Sequence, residues 1–349
     1  MTSLKQQRII AIWLFISSAA IFAMVILGGV TRLTDSGLSM VEWAPIMGAL
    51  PPLNNDEWLK TFHMYQQFPE FKIHNHAMDL AGFKSIFWFE YSHRLLGRLI
   101  GLIFFFPMVF FFIKGWVNSG LKIKLIIMFI LGGLQGLLGW YMVKSGLVNN
   151  PNVSQYRLVA HLGLAIFVYA YILWIALGLF FQGDQPTNLN NNLDVHPLKT
   201  YALLLLIFTF ITILSGGFVA GLNAGLVYNT FPLMNGQLVP DGLLSMTPAW
   251  HNLFENATTV QFNHRVITTA LALAVIIFYL AALSKKPSAR LKLGLHLMMI
   301  MILIQVSLGI STLLLHVPIP FAASHQAGAL ILFTLIIFVT HQTMQLKNV

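Results

Sequence analysis

Eight stretches of mostly apolar residues run through this chain, near 9–30, 88–113, 121–143, 158–181, 200–220, 262–283, 292–315 and 322–343. About 20 such residues cross the hydrocarbon core of a bilayer as a helix. Backbone polar groups in lipid must be satisfied internally, so each stretch reads as a helix. The pattern predicts an all-α polytopic membrane protein with eight transmembrane helices. Composition agrees, with 57% hydrophobic and 9% charged residues, against about 25% charged in a soluble domain. The lipid bilayer is therefore the expected surround. A net charge of +9 fits Lys and Arg gathered in cytoplasmic loops. No run mixes basic with aromatic residues, so nucleic acid is not an expected partner. The chain has no cysteine, which excludes disulfides, thiolate catalysis, iron–sulfur clusters and Cys-held zinc.

Lys5, Arg8, Lys114, Lys122, Lys124, Lys285, Lys286, Arg290, Lys292 and Lys347 lie on one side of the spans, while residues 221–260 hold no Lys or Arg. The positive-inside rule then places both termini in the cytoplasm, with the loops near 31–87 and 221–260 facing outward. The chain also repeats itself. Gly28-Gly29, Gly37, Pro45, Met47 and Pro51-Pro52 are matched by Gly216-Gly217, Gly225, Pro232, Met234 and Pro240. Ser92-His93-Arg94 matches Asn263-His264-Arg265, Leu134-Gln135 before Gly139 matches Ile304-Gln305 before Gly309, and Ala160-His161 matches Ser324-His325. The second copy is internal, so the first run is expected to be a retained span rather than a cleaved signal. Four spans per half return the chain to the same side, which implies parallel repeats. The expected organisation is two four-helix bundles: residues 1–181 with a substrate site, a cytoplasmic linker at 182–199, and residues 200–349 with a cofactor site.

His93, His161, His264 and His325 occupy matching places, each expected in the first turns of an even-numbered span and at similar depth near the outer leaflet. Ionisable groups inside spans are costly to bury and mark functional sites; the plain alternative is a hydrogen bond to a neighbouring helix. Two imidazoles from two facing helices are too few for bare zinc but suit the axial positions of a haem. His93 with His161 would form one site, and His264 with His325 the other. Glu90, His93, Arg94, Gly97 and Gly101 share a helix face, where small residues admit a flat ring. Arg94 and Arg265 follow their histidines and are candidates to pair with propionates; snorkelling to the interface is the alternative. The halves differ at one position: Glu90 precedes His93 by three residues, whereas Gln261 precedes His264. Glu90 can ionise and act as a base or electrostatic stabiliser, and Gln261 cannot. Chemistry is thus expected in the amino-terminal half and a fixed cofactor in the other. A dihaem b-type electron-transfer cytochrome would use the same histidines. A secondary transporter also shares the repeats, though no broken helix is evident.

Glu90-Tyr91-Ser92-His93-Arg94-Leu95-Leu96-Gly97-Arg98 resembles the Glu-x-x-His-Arg helix opening of the haem A synthase family. Gly28-Gly29-Val30-Thr31-Arg32-Leu33-Thr34 with Ser36-Gly37-Leu38-Ser39 resembles its first outer segment, Gln261-Phe262-Asn263-His264-Arg265 its sixth-helix motif, and Pro248, Trp250, Asn252, Phe254 and Glu255 the run before that helix. The resemblance covers nearly the whole chain. It implies oxidation of the C8 methyl of haem O to a formyl group with molecular oxygen, giving haem A for terminal oxidases. It assigns haem O to His93, His161 and Arg94, a haem b cofactor to His264, His325 and Arg265, and catalysis to Glu90. Haem O synthase and an electron donor are the implied partners, a homo-oligomer is allowed, and the inner cell membrane is the implied location. Some bacterial members carry a cysteine pair in the first outer loop. This chain lacks it and resembles the cysteine-free branch of proteobacterial and mitochondrial type.

His63, His74 and His76 read as solvated loop residues, and His296, His316 and His341 as facing the interface or a neighbouring helix. Gly132, Gly133, Gly136 and Gly139 suggest close helix packing, with Gln135 and Gln305 bonding across helices. The outer loop near 31–87 is too long for a plain connection, and short interfacial helices near 55–67 and 77–87 are expected to cover the pocket.

Overall fold

A computed structural model describes residues 3–41, 50–147, 153–183 and 196–346. Eleven α-helices are described: α1 (Leu4–Leu33), α2 (Asn55–Gln66), α3 (Pro69–Ile73), α4 (Leu80–Ile113), α5 (Ser119–Gly146), α6 (Gln155–Phe180), α7 (His196–Gly221), α8 (Asn252–Glu255), α9 (Ala257–Ser284), α10 (Ala289–Leu314) and α11 (Ile319–Met344). Among the described residues, eight are long and apolar enough to cross a membrane: α1, α4, α5, α6, α7, α9, α10 and α11. The protein is thus all-α and multi-pass. Large apolar side chains such as Phe106, Ile277 and Leu280 point outward on these helices, as lipid contact requires. Buried span hydroxyls fold back on their own helix: Thr209 bonds the carbonyl of Leu205 and Thr212 that of Phe208, so neither is left without a partner inside the bundle.

The chain separates into two compact units, residues 19–165 and residues 1–18 with 166–349. In the second, Leu271, Val275 and Phe278 of α9, Leu295 and Met298 of α10, and Ile336 of α11 form one apolar core. Gly294 brings α10 close to α11, since a Cβ there would lie 2.9 Å from the Phe338 ring. Tyr279 joins His296 at 2.9 Å across α9 and α10, and buried His341 packs edge-on against Trp174. Both histidines thus meet neighbouring helices, as read from the sequence. His316 is exposed, as are His63, His74 and His76. Most of the expected linker, residues 184–195, lies outside the described residues.

In the unit 19–165, the outer segment is built from local signals. Asn54 caps α2 by accepting from the Glu57 amide at 2.9 Å, and Glu57 returns to the Leu53 amide at 2.8 Å, a reciprocal cap of the capping-box type. This helix matches the expected one at 55–67. The expected separate helix at 77–87 is instead the opening of α4. Asp79 caps that start through the Gly82 amide at 2.8 Å. Phe83, Phe87 and Tyr91, one turn apart on one face, then pack with Trp58, Phe62 and Tyr65 of α2. Trp58 meets Phe87 edge-on at 4.9 Å and Tyr65 stacks on Phe83 at 5.2 Å, so burial carries the helix past the lipid-length run. His93 consequently sits in the fourth turn of α4, deeper along its helix than expected, whereas His161 and His325 lie in the second turn of theirs and His264 at the start of the third.

Glu70, in the first turn of α3, is buried, and its Oε2 has no hydrogen-bond partner. Burial first, then the negative charges of Glu90 and Asp35, push its carboxyl up to about 8; the Tyr65 hydroxyl and Arg32 oppose this. Its folded value lies above its unfolded one. The stability it contributes is therefore complete below about pH 4.5 and lost as pH rises through about 8. We expect protection of α2 and α3 in hydrogen exchange, corrected for intrinsic rates, to weaken across that window by up to about 1.4 kcal/mol per pH unit. Glu70→Gln should flatten the profile; an unchanged pH dependence in that variant would rule the carboxyl out.

Candidate functional site

The four matched histidines are seated by one device used four times. A Cβ at Gly28 of α1 would lie 3.0 Å from His93 Nε2, and one at Gly139 of α5 would lie 2.9 Å from His161 Cε1. In the other unit, a Cβ at Gly216 of α7 would lie 3.3 Å from His264 Cε1, and one at Gly309 of α10 would lie 2.8 Å from His325 Cε1. Each ring therefore rests against backbone that only glycine leaves open. His93 and His161 lie within electrostatic range of each other, as do His264 and His325. Each unit thus holds two of the four histidines near one another.

The equivalent glutamines hold the second member of each pair. Gln135 Nε2 is 3.1 Å from His161 Nδ1 and donates to the His161 carbonyl at 3.0 Å. Gln305 Nε2 is 3.1 Å from His325 Nδ1 and donates to the His325 carbonyl at 2.9 Å. These are the cross-helix bonds expected of both glutamines. The glycine expectation needs correction: Gly139 faces His161, but a Cβ at Gly132, Gly133 or Gly136 would meet nothing within 4 Å. Those three leave space and do not pack a helix.

The first members of the pairs differ. Ser215 Oγ donates to the Thr212 carbonyl at 2.7 Å and lies 2.7 Å from His264 Nδ1. With its proton committed, the hydroxyl accepts from Nδ1–H, which leaves Nε2 with the lone pair a metal needs. The residue matching Ser215 is Leu27, directly before Gly28, and the His93 ring makes no hydrogen bond among the described residues. The sequence reading missed Ser215. Its place before a repeated Gly-Gly doublet was the available signal.

Do these residues fit a haem? The donors are paired imidazoles on facing helices, each given room by a glycine. The buried Oε1 atoms of Gln135 and Gln305 have no partner among the described residues, so each amide keeps an unused acceptor beside its histidine. Among the described residues no cluster of three or more His, Cys, Asp or Glu side chains is placed to hold a bare metal ion. Two imidazoles per site match the axial demand of a haem, so the residues fit.

Glu90 is buried and accepts from Ser39 Oγ at 2.7 Å and the Met40 amide at 2.7 Å, besides pairing with Arg94. Arg94 also donates to the Met40 carbonyl at 2.8 Å. In the other unit, Gln261 donates to the Tyr228 carbonyl at 3.0 Å, and Arg265 donates to the carbonyls of Tyr228 and Thr230, both at 2.9 Å. Met40 and Tyr228 each follow their Gly-Gly doublet's first residue by twelve positions. The same clamp of helix onto outer loop is therefore built twice, once with a carboxylate and once with an amide. Both arginines are engaged with loop carbonyls, a role the sequence reading did not foresee for them.

A family model described as cytochrome oxidase assembly protein, COX15-CtaA, matches residues 11–337. A protein named heme A synthase from Nitrosospira multiformis is 53% identical over 336 residues, covering 96% of this chain and 94% of that protein. Heme A synthase COX15 of Bos taurus is 45% identical over 342 residues, covering 96% and 82%. The Homo sapiens protein of that name is 44% identical over 334 residues, covering 94% and 81%. With its paired histidines in place and similarity running from end to end of the described spans, the chain belongs to the COX15-CtaA family of cytochrome oxidase assembly proteins.

Proposed function

We propose that this protein is a haem A synthase, converting the C8 methyl of haem O to a formyl group by successive oxygen-dependent hydroxylations and loss of water. The observation that carries this reading is a difference in ionisable chemistry at matched positions: Glu90 beside His93, Gln261 beside His264. Haem O is the substrate at His93 and His161. His264 and His325 hold haem b, which when bound supplies one-electron redox chemistry. Ser215 and Gln305 fix those two imidazoles, as suits a cofactor that stays.

Glu90, at hydrogen-bond reach of the Ser39 hydroxyl, can hold or pass a proton at its Oε2 beside the substrate. Its pairing with Arg94, together with the Met40 contacts, keeps the loop closed over that end of α4. Arg94 and Arg265 are placed to add propionate contacts to their loop bonds. We further propose the two parallel four-helix repeats, 1–181 and 200–349, a linker at 182–199, and residence in the inner cell membrane with both termini cytoplasmic. Haem O synthase, an electron donor and a second copy of the chain remain the proposed associates.

A dihaem electron-transfer cytochrome is the second reading, favoured by the equal glycine and glutamine seats in both halves. Expression beside a source of haem O, followed by chromatography of extracted haems, separates the two. The synthase yields haem O or haem A along with haem b, and the cytochrome yields haem b alone. Within the synthase reading, His264→Ala or His325→Ala should abolish retained haem b and lower thermal stability, because a ligand bound only to the native state stabilises it. Glu90→Gln, which borrows the residue of the other half, should keep haem b yet accumulate haem O or a hydroxylated intermediate. An undiminished haem A yield from that variant would remove Glu90 from the chemistry.

A further inference from the structure

Beside His161 the structure has a feature that the repeat does not duplicate. Leu134, Leu137, Leu138, Trp140 and Tyr141 of α5, with Leu164 of α6, line an open apolar groove of about 440 Å³. That falls within the roughly 300–1,000 Å³ of sites that take drug-sized ligands. Leu164 lies three residues beyond His161, and Leu134 and Leu138 directly precede Gln135 and Gly139, the two residues that hold the His161 ring. At Trp140 the groove adjoins a second, smaller hollow of about 210 Å³, lined also by Met40, Arg94 and Lys144. Trp140 thus lines both a hollow that holds Arg94 and Lys144 and a mainly apolar trough along α5.

The other half is built differently at the same positions. Counting from the paired glutamines and histidines, Leu137, Tyr141 and Leu164 correspond to Ser307, Ser311 and Gly328, and Lys144 corresponds to Leu314. A Cβ at Gly328 would collide with Gln305 Oε1 and lie 3.1 Å from Met301 and 3.4 Å from Leu308. Glycine there lets α11 close onto α10. A leucine at that place on α6 cannot allow the same approach. The apolar trough and the cation at its mouth therefore belong to the half read as holding the substrate.

We propose that the α5–α6 groove is an isoprenoid subsite, seating the farnesyl tail of the substrate haem while Arg94 and Lys144 receive its carboxylates. The inference rests on the reading of His93 and His161 as the haem O site, and it adds which face of that site distinguishes haem O from haem b. The two haems share ring, iron and propionates and differ at the tail, so only an apolar trough outside the ring plane can separate them. The cations at one end and leucines at the other match an amphipathic ligand in a single orientation. Tyr141, held by Arg157 of α6 through a 3.3 Å hydrogen bond and a cation–π contact at 4.4 Å, fixes the outer margin of the trough.

The test titrates haem O and, separately, haem b into the detergent-purified full-length protein whose His264–His325 site is already filled with haem b, following the Soret band. The unaltered protein should bind haem O at least about tenfold more tightly than haem b at the open site, the scale on which apolar pockets discriminate. Leu137→Trp, which fills the groove, and Leu137→Ser, which copies the other half, should both erase that preference while leaving the affinity for haem b unchanged. A preference that survives both changes would place the tail elsewhere and leave the groove to bilayer lipid. Equal weakening of both haems would mean that these walls serve the ring, which also overturns the proposal. Failure of the underlying reading looks different: haem O would then give no Soret change that His93→Ala removes, even in the unaltered protein.

Discussion

The close approach of a histidine ring to a glycine backbone is the contact around which both halves are organised. An imidazole inside a bundle of apolar helices is expensive unless its polar atoms are engaged and its ring has a place to lie. Gly28, Gly139, Gly216 and Gly309 supply the place, and Gln135, Gln305 and Ser215 engage the nitrogens. Any side chain at those glycines would push a helix or a ring aside, so the spacing of the spans and the position of the candidate ligands are a single constraint.

The matched contacts in the two units then explain why the long loops matter. Each half ties a loop to a helix through the residue three before the first histidine and the arginine just after it. In one half the tie contains an ion pair between side chains only 3% and 9% exposed. A buried charge stripped of its partner costs several kcal/mol, about 3–5 in measured cases, so Glu90 has a structural stake in its site. Gln261 achieves the same attachment to backbone without charge. The half with the carboxylate is thus the half that accepted an electrostatic liability.

The eight spans were legible in the sequence because lipid leaves a helix little freedom in length or polarity. The four glycine-seated histidines were legible because the sequence motif around them occurs twice. The opening of α4 was not: Asp79 and three aromatic residues extend the helix beyond the apolar run, and their partners on α2 are distant in sequence. Nor could the sequence separate a glycine that admits a ring, such as Gly139, from glycines that merely leave space, such as Gly132. Ser39 and Met40 escaped notice because they reach Glu90 across some fifty residues of chain.

The exchange of Ser215 for Leu27 bears on residence time. A hydroxyl that locks one tautomer keeps an imidazole permanently ready to coordinate, at a gain of about 1 kcal/mol to whatever it grips. Without that lock, His93 can place its proton on either nitrogen and turn against Gly28 with little resistance. On the proposed reading one porphyrin stays and another leaves, and a single oxygen atom marks that difference between the two grips.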